Sequence, residues 1–290
     1  MIIDVHTHVP SHIDTVPPEE EVRNTIIRPD RAIRLTSTYD DFFEAMKPVD
    51  KVISFGIAMP ADRPAIIGKY KDMKRVNDAT AALVARAPEK VIGFMSVHPD
   101  EPAALDEMER AYSDLQLRGV KLLPNYQNFD PLGENARRVY SKAQEMKLPV
   151  LFHQGTGTAH AAPIRYAHPL VMDEIAILFP ELHIVMAHIG HPWLVDCLVV
   201  IRKHPNVYAD ISGQFYRPWQ FYNGMRLAYE WSQFNKLLFG SDYPVTTPQE
   251  TIDALHHLDH FIRQHHLPEV PLELLEEIIH RNSLELLGLD

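Results

Sequence analysis

A (β/α)8 barrel, the TIM-barrel type of α/β fold, is the fold class this sequence predicts. Three observations predict it: eight short apolar runs, amphipathic stretches between them, and a length that suits one closed barrel. The 290 residues are 46% hydrophobic and 23% charged, an ordinary balance for a globular chain with a large core. The runs fall near Ile2–Val5, Lys51–Ala58, Val91–His98, Gly119–Leu123, Val150–His153, His183–His188, Val207–Ile211 and Leu237–Gly240. Most are rich in Val, Ile, Leu and Phe without strict alternation, as strands covered on both faces should be. Their spacing leaves room for a strand, a helix and two loops each time.

Helical patterns occupy the gaps. A long one lies within Asp62–Ala87 and is ended by Pro88; others cover Ala103–Leu117, Asn135–Met146, Pro169–Phe179, Pro192–His204, Thr247–His265 and Leu272–Leu287. No low-complexity tract or Gly/Ser linker interrupts them, so residues 1–290 are expected to form a single domain. The segment 10–35, rich in proline and charge, is the expected lid or mobile excursion.

Composition narrows the function. Thirty-nine acidic residues against 28 basic ones give a net charge of −11, which disfavours nucleic acid as a partner. The single cysteine, Cys197, rules out an internal disulfide and a cysteine-based zinc site. A reducing, cytoplasmic setting fits. The start MIIDVHTH does not read as a signal peptide, and no apolar run reaches the ~18 residues of a membrane span. The expected partner is a small-molecule substrate, with no membrane; assembly into a homo-oligomer is left open.

The placement of histidine and aspartate carries the chemistry. Functional groups of such barrels sit at the C-terminal ends of the strands, facing one mouth. His6 and His8 close the first strand with i, i+2 spacing, which points both side chains the same way. His153 ends the fifth strand, His188 the sixth, and Asp242 follows the eighth. His6, His8, His153 and Asp242 therefore bring three imidazoles and a carboxylate to one mouth, a set suited to one divalent metal ion, Zn²⁺ first and Mn²⁺ second. A lone buried histidine usually only satisfies a hydrogen bond; joint placement on strand ends favours the metal. The remaining His residues before prolines (His98, His168, His191, His204) read as loop or helix-start residues. For substrate, Arg63, Arg165 and Arg217 follow strands two, five and seven and can clamp a carboxylate. Trp193, with Phe215, Tyr216, Trp219 and Tyr222, suggests an aromatic-lined mouth.

The motifs DVHTH (4–8), VNDATAALVARAPEKVIGFMSVHP (76–99), RGVKLLP (118–124), LFHQGTG (151–157), VMAHIGHP (185–192), VYADIS (207–212), FGSDYP (239–244) and IIHRNSLELLGL (278–289) run nearly end to end in order. Together they resemble the amidohydrolase superfamily, and more closely its branch containing aminocarboxymuconate-semialdehyde decarboxylase. The resemblance implies the same metal ligands, His188 as a catalytic histidine that polarises substrate or holds water, and Asp242 as both ligand and proton shuttle. It places Asp4 and Asp210 on motif acids, and Lys121 where two-metal relatives carry a carbamylated lysine. It departs at Leu123, where the family often has histidine. It implies hydrolysis of an amide, lactone or C–C bond in a small carboxylated substrate through a metal-bound water. Non-oxidative decarboxylation is the alternative, and a metal-free binding module on the same barrel is the reading from another class.

Overall fold

The structure is a computed structural model, which describes residues 1–63, 67–157 and 163–290. Eight strands form one sheet: β1 (Ile3–His8), β2 (Lys51–Phe55), β3 (Val91–Ser96), β4 (Val120–Leu122), β5 (Val150–Phe152), β6 (Ile184–Met186), β7 (Val207–Asp210) and β8 (Leu237–Leu238). They neighbour one another in chain order, and each pairing is parallel. The last strand returns to the first: Val5 N donates to Phe239 O at 3.0 Å, Asp242 N to His6 O at 2.8 Å, and Thr7 forms a parallel bridge with Tyr243. The barrel is thus nearly closed, and the segment after β8 lies against β1, which seats Asp242 beside His6.

The absence of strict alternation in the sequence has a direct cause. Alternate side chains serve two apolar layers. Val52, Met95, Val120, Leu122, Val150, Phe152, Ile184, Met186 and Leu237 pack outwards against the helices, while Ile53, Phe55, Phe94, Leu151, Val185 and Leu238 join a separate cluster within the barrel. Both layers exclude water, so both demand apolar residues.

The helices cover the outer layer at the expected places, usually shorter than the pattern suggested. The stretch expected from Asp62 becomes helical only at Met73–Arg86, where the Asp72 side chain accepts from Arg75 N and caps the first turn; residues 64–66 of that expectation lie outside the described residues. The expected helix Leu272–Leu287 divides into Leu272–His280 and Ser283–Leu287. Three α-helices depart from the expectation: Tyr39–Ala45, which opens on a Thr38/Asp41 capping box, the single turn Pro124–Gln127, and Pro218–Glu230, whose aromatic residues and Gly224 mask the helical period. No helix among the described residues is long and apolar enough to cross a membrane.

The 10–35 excursion folds over the mouth. It carries a small antiparallel ribbon, Arg23–Asn24 with Ile33–Arg34. Arg28, only 3% exposed, pairs with Asp30 and Glu250 and stacks over Phe215 and Tyr216 at 5.3 and 5.0 Å. This clasp holds the neighbouring Ile26 and Ile27 against the cavity described next.

Candidate metal centre

Where the strand ends converge, a cavity of about 170 Å³ opens, lined among the described residues by His6, His8, Lys121, His153, His188 and Asp242 at its polar end. Ile27, Ile57, Leu123, Tyr126, Tyr216 and Val245 form the apolar wall. The expected ligand set and His188 are therefore brought together.

Their spacing is close. Asp242 Oδ1 lies 3.4 Å from His6 Nε2 and 3.2 Å from His8 Nε2. His6, His188 and Asp242 each offer a ligand atom within 4.8 Å of the others, so His188, expected beside the metal and not on it, shares the tightest grouping. The His153 ring stands 5.1 Å from that of His188, and the His8 ring 5.6 Å from that of His6.

Asp210 orders this cluster. Its Oδ2 lies 2.8 Å from His6 Nδ1, while Oδ1 accepts from the backbone N–H of His188 at 3.0 Å and of Ser212 at 3.1 Å. A carboxylate at Nδ1 keeps the proton there and turns Nε2, free of it, into the cavity. The His188 ring is fixed in a similar way: Nδ1 lies 3.1 Å from Ser212 O, an acceptor only, and 2.9 Å from Ser212 Oγ. Asp4, wholly buried, accepts from His6 N and Ser241 N and ties the β1 end to the loop after β8.

Backbone strain marks the same residues. His188 and Asp242 have φ of 59° and 69°, a left-handed region that non-glycine residues rarely adopt. Such conformations persist where the surroundings over-determine them, commonly at functional sites. Gly213, at φ 62°, faces the pair; a Cβ there would lie 3.2 Å from Asp242 Oδ2.

Burial and charge set the protonation states. Burial lowers His6 to about 4, with Lys121 adding to the effect, and pushes His8 and His153 down as well. These imidazoles are neutral near pH 7, as metal ligands must be. Burial also brings Lys121 down to about 7; its Nζ sits 3.5 Å from His6 Nε2 and 4.5 Å from the Phe55 ring. For Asp242 burial works upwards, but the bond from His8 and the nearby histidines outweigh it and keep the carboxyl below its ordinary range. Asp210 is ionised: burial is overcome by its bond to His6. Asp4 rises to about 7 through burial.

The donor set fits a divalent cation. His153 Nε2 is buried without a hydrogen-bond partner among the described residues, and a neutral imidazole nitrogen left unpaired in a cavity shared with the Asp242 carboxylate suits a cation.

The expected substrate residues separate. Arg217 lines the cavity, stacked on Tyr216 at 4.6 Å, with Nη2 donating to Ile27 O. Arg165 does not: it is exposed on the turn Ile164–Ala167, with its guanidinium over Tyr166. Trp193 also stands outside the lining, its ring tilted against that of His168 at 4.6 Å where the helix Leu194–Lys203 begins. Arg63 lies outside it as well, its backbone tied to Pro60 and Lys71. Phe215 packs on Arg28, and Trp219 is 59% exposed beside Tyr222.

Other lining residues had not been picked out: Gln154, His191, Gln214 and Tyr126. All four lie within four residues of a predicted strand end, so that position was the available signal. His191 had been read as a loop residue before proline; burial, then Arg217, lowers it to about 4.

A protein-family model described as amidohydrolase matches residues 3–289. A search of curated proteins finds no match. Among solved structures, the chain is similar to an uncharacterised TIM-barrel protein from Bordetella bronchiseptica at 20% identity and a TM-score of 0.70, covering 99% of this chain and 98% of that one. It is similar to a probable 2-pyrone-4,6-dicarboxylic acid hydrolase from Acinetobacter baumannii, solved with citric acid, at 17% identity, a TM-score of 0.62 and 99% of both chains. A dihydroxybenzoic acid decarboxylase from a Polaromonas species, with manganese and the inhibitor 2-nitroresorcinol, is similar at 16% identity and a TM-score of 0.64, covering 99% of this chain and 97% of that one.

Proposed function

This chain belongs to the amidohydrolase family, and we propose that it is a metal-dependent hydrolase of a small carboxylated substrate. The observation that carries the reading is the meeting of His6, His188 and Asp242 within 4.8 Å, with Arg217 lining the same small cavity. His6, His8, His153 and Asp242 would hold one divalent cation, zinc or manganese. When bound, such a cation supplies a Lewis acid and makes water a stronger acid.

The chain's own groups do the rest. Asp242, ionised and 13% exposed, can take a proton from a water at the cavity floor and pass it to the leaving group. His188, held through Nδ1 by Ser212, directs its other ring nitrogen towards the substrate oxygen. Arg217 contributes a guanidinium for a carboxylate, and the apolar wall strengthens that attraction by keeping water out. Arg63, Arg165 and Trp193, outside the lining, contribute less to recognition than Arg217.

A second reading, non-oxidative decarboxylation, is favoured by one observation: similar solved structures include a decarboxylase with bound manganese. Elemental analysis of the native protein, followed by assay of carboxylated aromatics, lactones and amides with separate CO₂ detection, tests both. Ring opening or amide cleavage without CO₂ supports hydrolysis. CO₂ release in step with substrate loss supports the second reading, and protein purified without any bound metal would count against both.

A further inference from the structure

Gln154 immediately follows the candidate ligand His153, is wholly buried, and lines the cavity. Neither its Oε1 nor its Nε2 has a hydrogen-bond partner among the described residues. A buried carboxamide with both ends unpaired is costly, and native proteins rarely keep one unless something from outside completes it. Its position is imposed by the backbone that follows. Gly155 N donates to Ala167 O at 2.9 Å and Thr156 N to His191 O at 3.0 Å. Gly155 has φ of 90°, and a Cβ there would stand 2.2 Å from His191 O. The amide is thus held beside the metal-competent cluster.

A second carboxamide repeats the pattern. Gln214, 4% exposed after β7, lines the same cavity with an unpaired Oε1, while its Nε2 is 3.4 Å from Ser212 O. The cavity therefore presents two acceptors awaiting a donor and one donor awaiting an acceptor.

We infer that Gln154 is a specificity-determining residue that reads an amide edge on the substrate, a C=O and an N–H side by side. The inference deepens the proposed hydrolysis and rests on that reading for its substrate class. A carboxylate or lactone offers acceptors only. It would answer Gln154 Nε2 but leave both Oε1 atoms unpaired and set oxygen lone pairs against them. A lone hydroxyl donates and accepts through a single oxygen, whereas the planar carboxamide asks for two adjacent groups. A lactam, whose cis amide sets C=O and N–H on one edge, or a primary amide meets that demand, with its carboxylate left for Arg217.

The test is equilibrium binding by calorimetry to the full chain at matched metal content. The probes are a six-membered lactam carrying a carboxylate beside the ring nitrogen and the lactone with oxygen in place of that N–H. The wild-type protein should bind the lactam roughly tenfold or more tightly, because a site built for a hydrogen bond rejects the analogue that lacks it. In Gln154→Leu the preference should vanish, with the lactam losing more affinity than the lactone. The variant should melt no lower than wild type, since it gives up no internal hydrogen bond. Equal affinities in wild type, a preference that survives in Gln154→Leu, or no binding of either ring would overturn the inference. So would a large fall in Tm, which would show the amide to be paired within the protein. Turnover is followed separately: lactam preference without ring opening defeats the hydrolytic reading and leaves the role of Gln154 standing.

Discussion

His6 Nδ1 and Asp210 Oδ2 lie 2.8 Å apart, with His6 1% exposed and Asp210 fully buried. The same carboxylate accepts the backbone N–H of His188 through its other oxygen, so one residue on β7 positions groups from β1 and from the turn after β6. In Asp210→Asn, the oxygen side of the amide is claimed by His188 N, Ser212 N and Ser212 Oγ. The –NH₂ then faces His6 and drives its proton from Nδ1 to Nε2, the atom a cation needs. Metal affinity should fall by about 10–100-fold, measured by competition with a chromophoric chelator. Unchanged affinity would reduce Asp210 to a packing role.

Metal content tests the roles given to Asp242 and His188. Asp242→Asn keeps a carbonyl oxygen for the cation but cannot accept a proton at neutral pH. Activity should drop about 10²–10⁴-fold with appreciable metal retained. His188→Asn should also retain metal while losing most turnover. Elemental analysis decides: a metal-free but folded His188→Asn would make His188 a ligand, as its place in the tight triad with His6 and Asp242 allows.

The eight strands were legible because each is an apolar run set by burial on both faces, and the sequence spacing of His6, His8, His153, His188 and Asp242 places them at one mouth whatever the loops do. Loop residues were not legible in the same way. Arg63, Arg165 and Arg217 look equivalent in sequence, each on the stretch that follows a strand. Only the fold shows that the turn at Ile164–Ala167 carries Arg165 onto Tyr166, while the Arg28 clasp keeps the loop of Arg217 against the cavity. Gln154 and Gln214 were hidden for another reason. A glutamine is usually a solvated surface residue, and its meaning here comes from burial without partners, which no spacing rule reveals.

Arg217→Met should raise KM by about 10-fold or more for a carboxylated substrate and change kcat little, as loss of uniform binding does. Arg165→Met, on the exposed turn, should leave both constants near wild type. Steady-state kinetics on the two variants checks this. Equal effects would mean that Arg165 reaches the substrate after all, and no effect of either would remove the carboxylate from the argument.

Acid should destabilise the metal-free protein between pH 6.5 and 4. His6 falls from its ordinary 6.5 to about 4 in the folded chain, mainly through burial, and His8 and His153 are lowered as well. Within that window the unfolded chain takes up protons that the folded chain refuses, so unfolding gains as pH drops. For His6 alone the loss is on the order of 3 kcal/mol by pH 4. Asp4 opposes it: held at about 7, it keeps its proton in the fold while the unfolded carboxyl ionises, so falling pH favours the fold through Asp4 from about 7 to 3.8. His191 is lowered to about 4 as well, so four histidines against one carboxyl leave the net direction downward. Urea unfolding of chelator-treated protein at pH 7, 5.5 and 4.5 should therefore show midpoints that decrease in that order. In Asp4→Asn the opposing contribution is gone, and the decline should steepen. A midpoint that stays level or rises on acidification would mean that the histidines take up protons within the fold, and the case for a neutral, metal-ready cluster would fail with it.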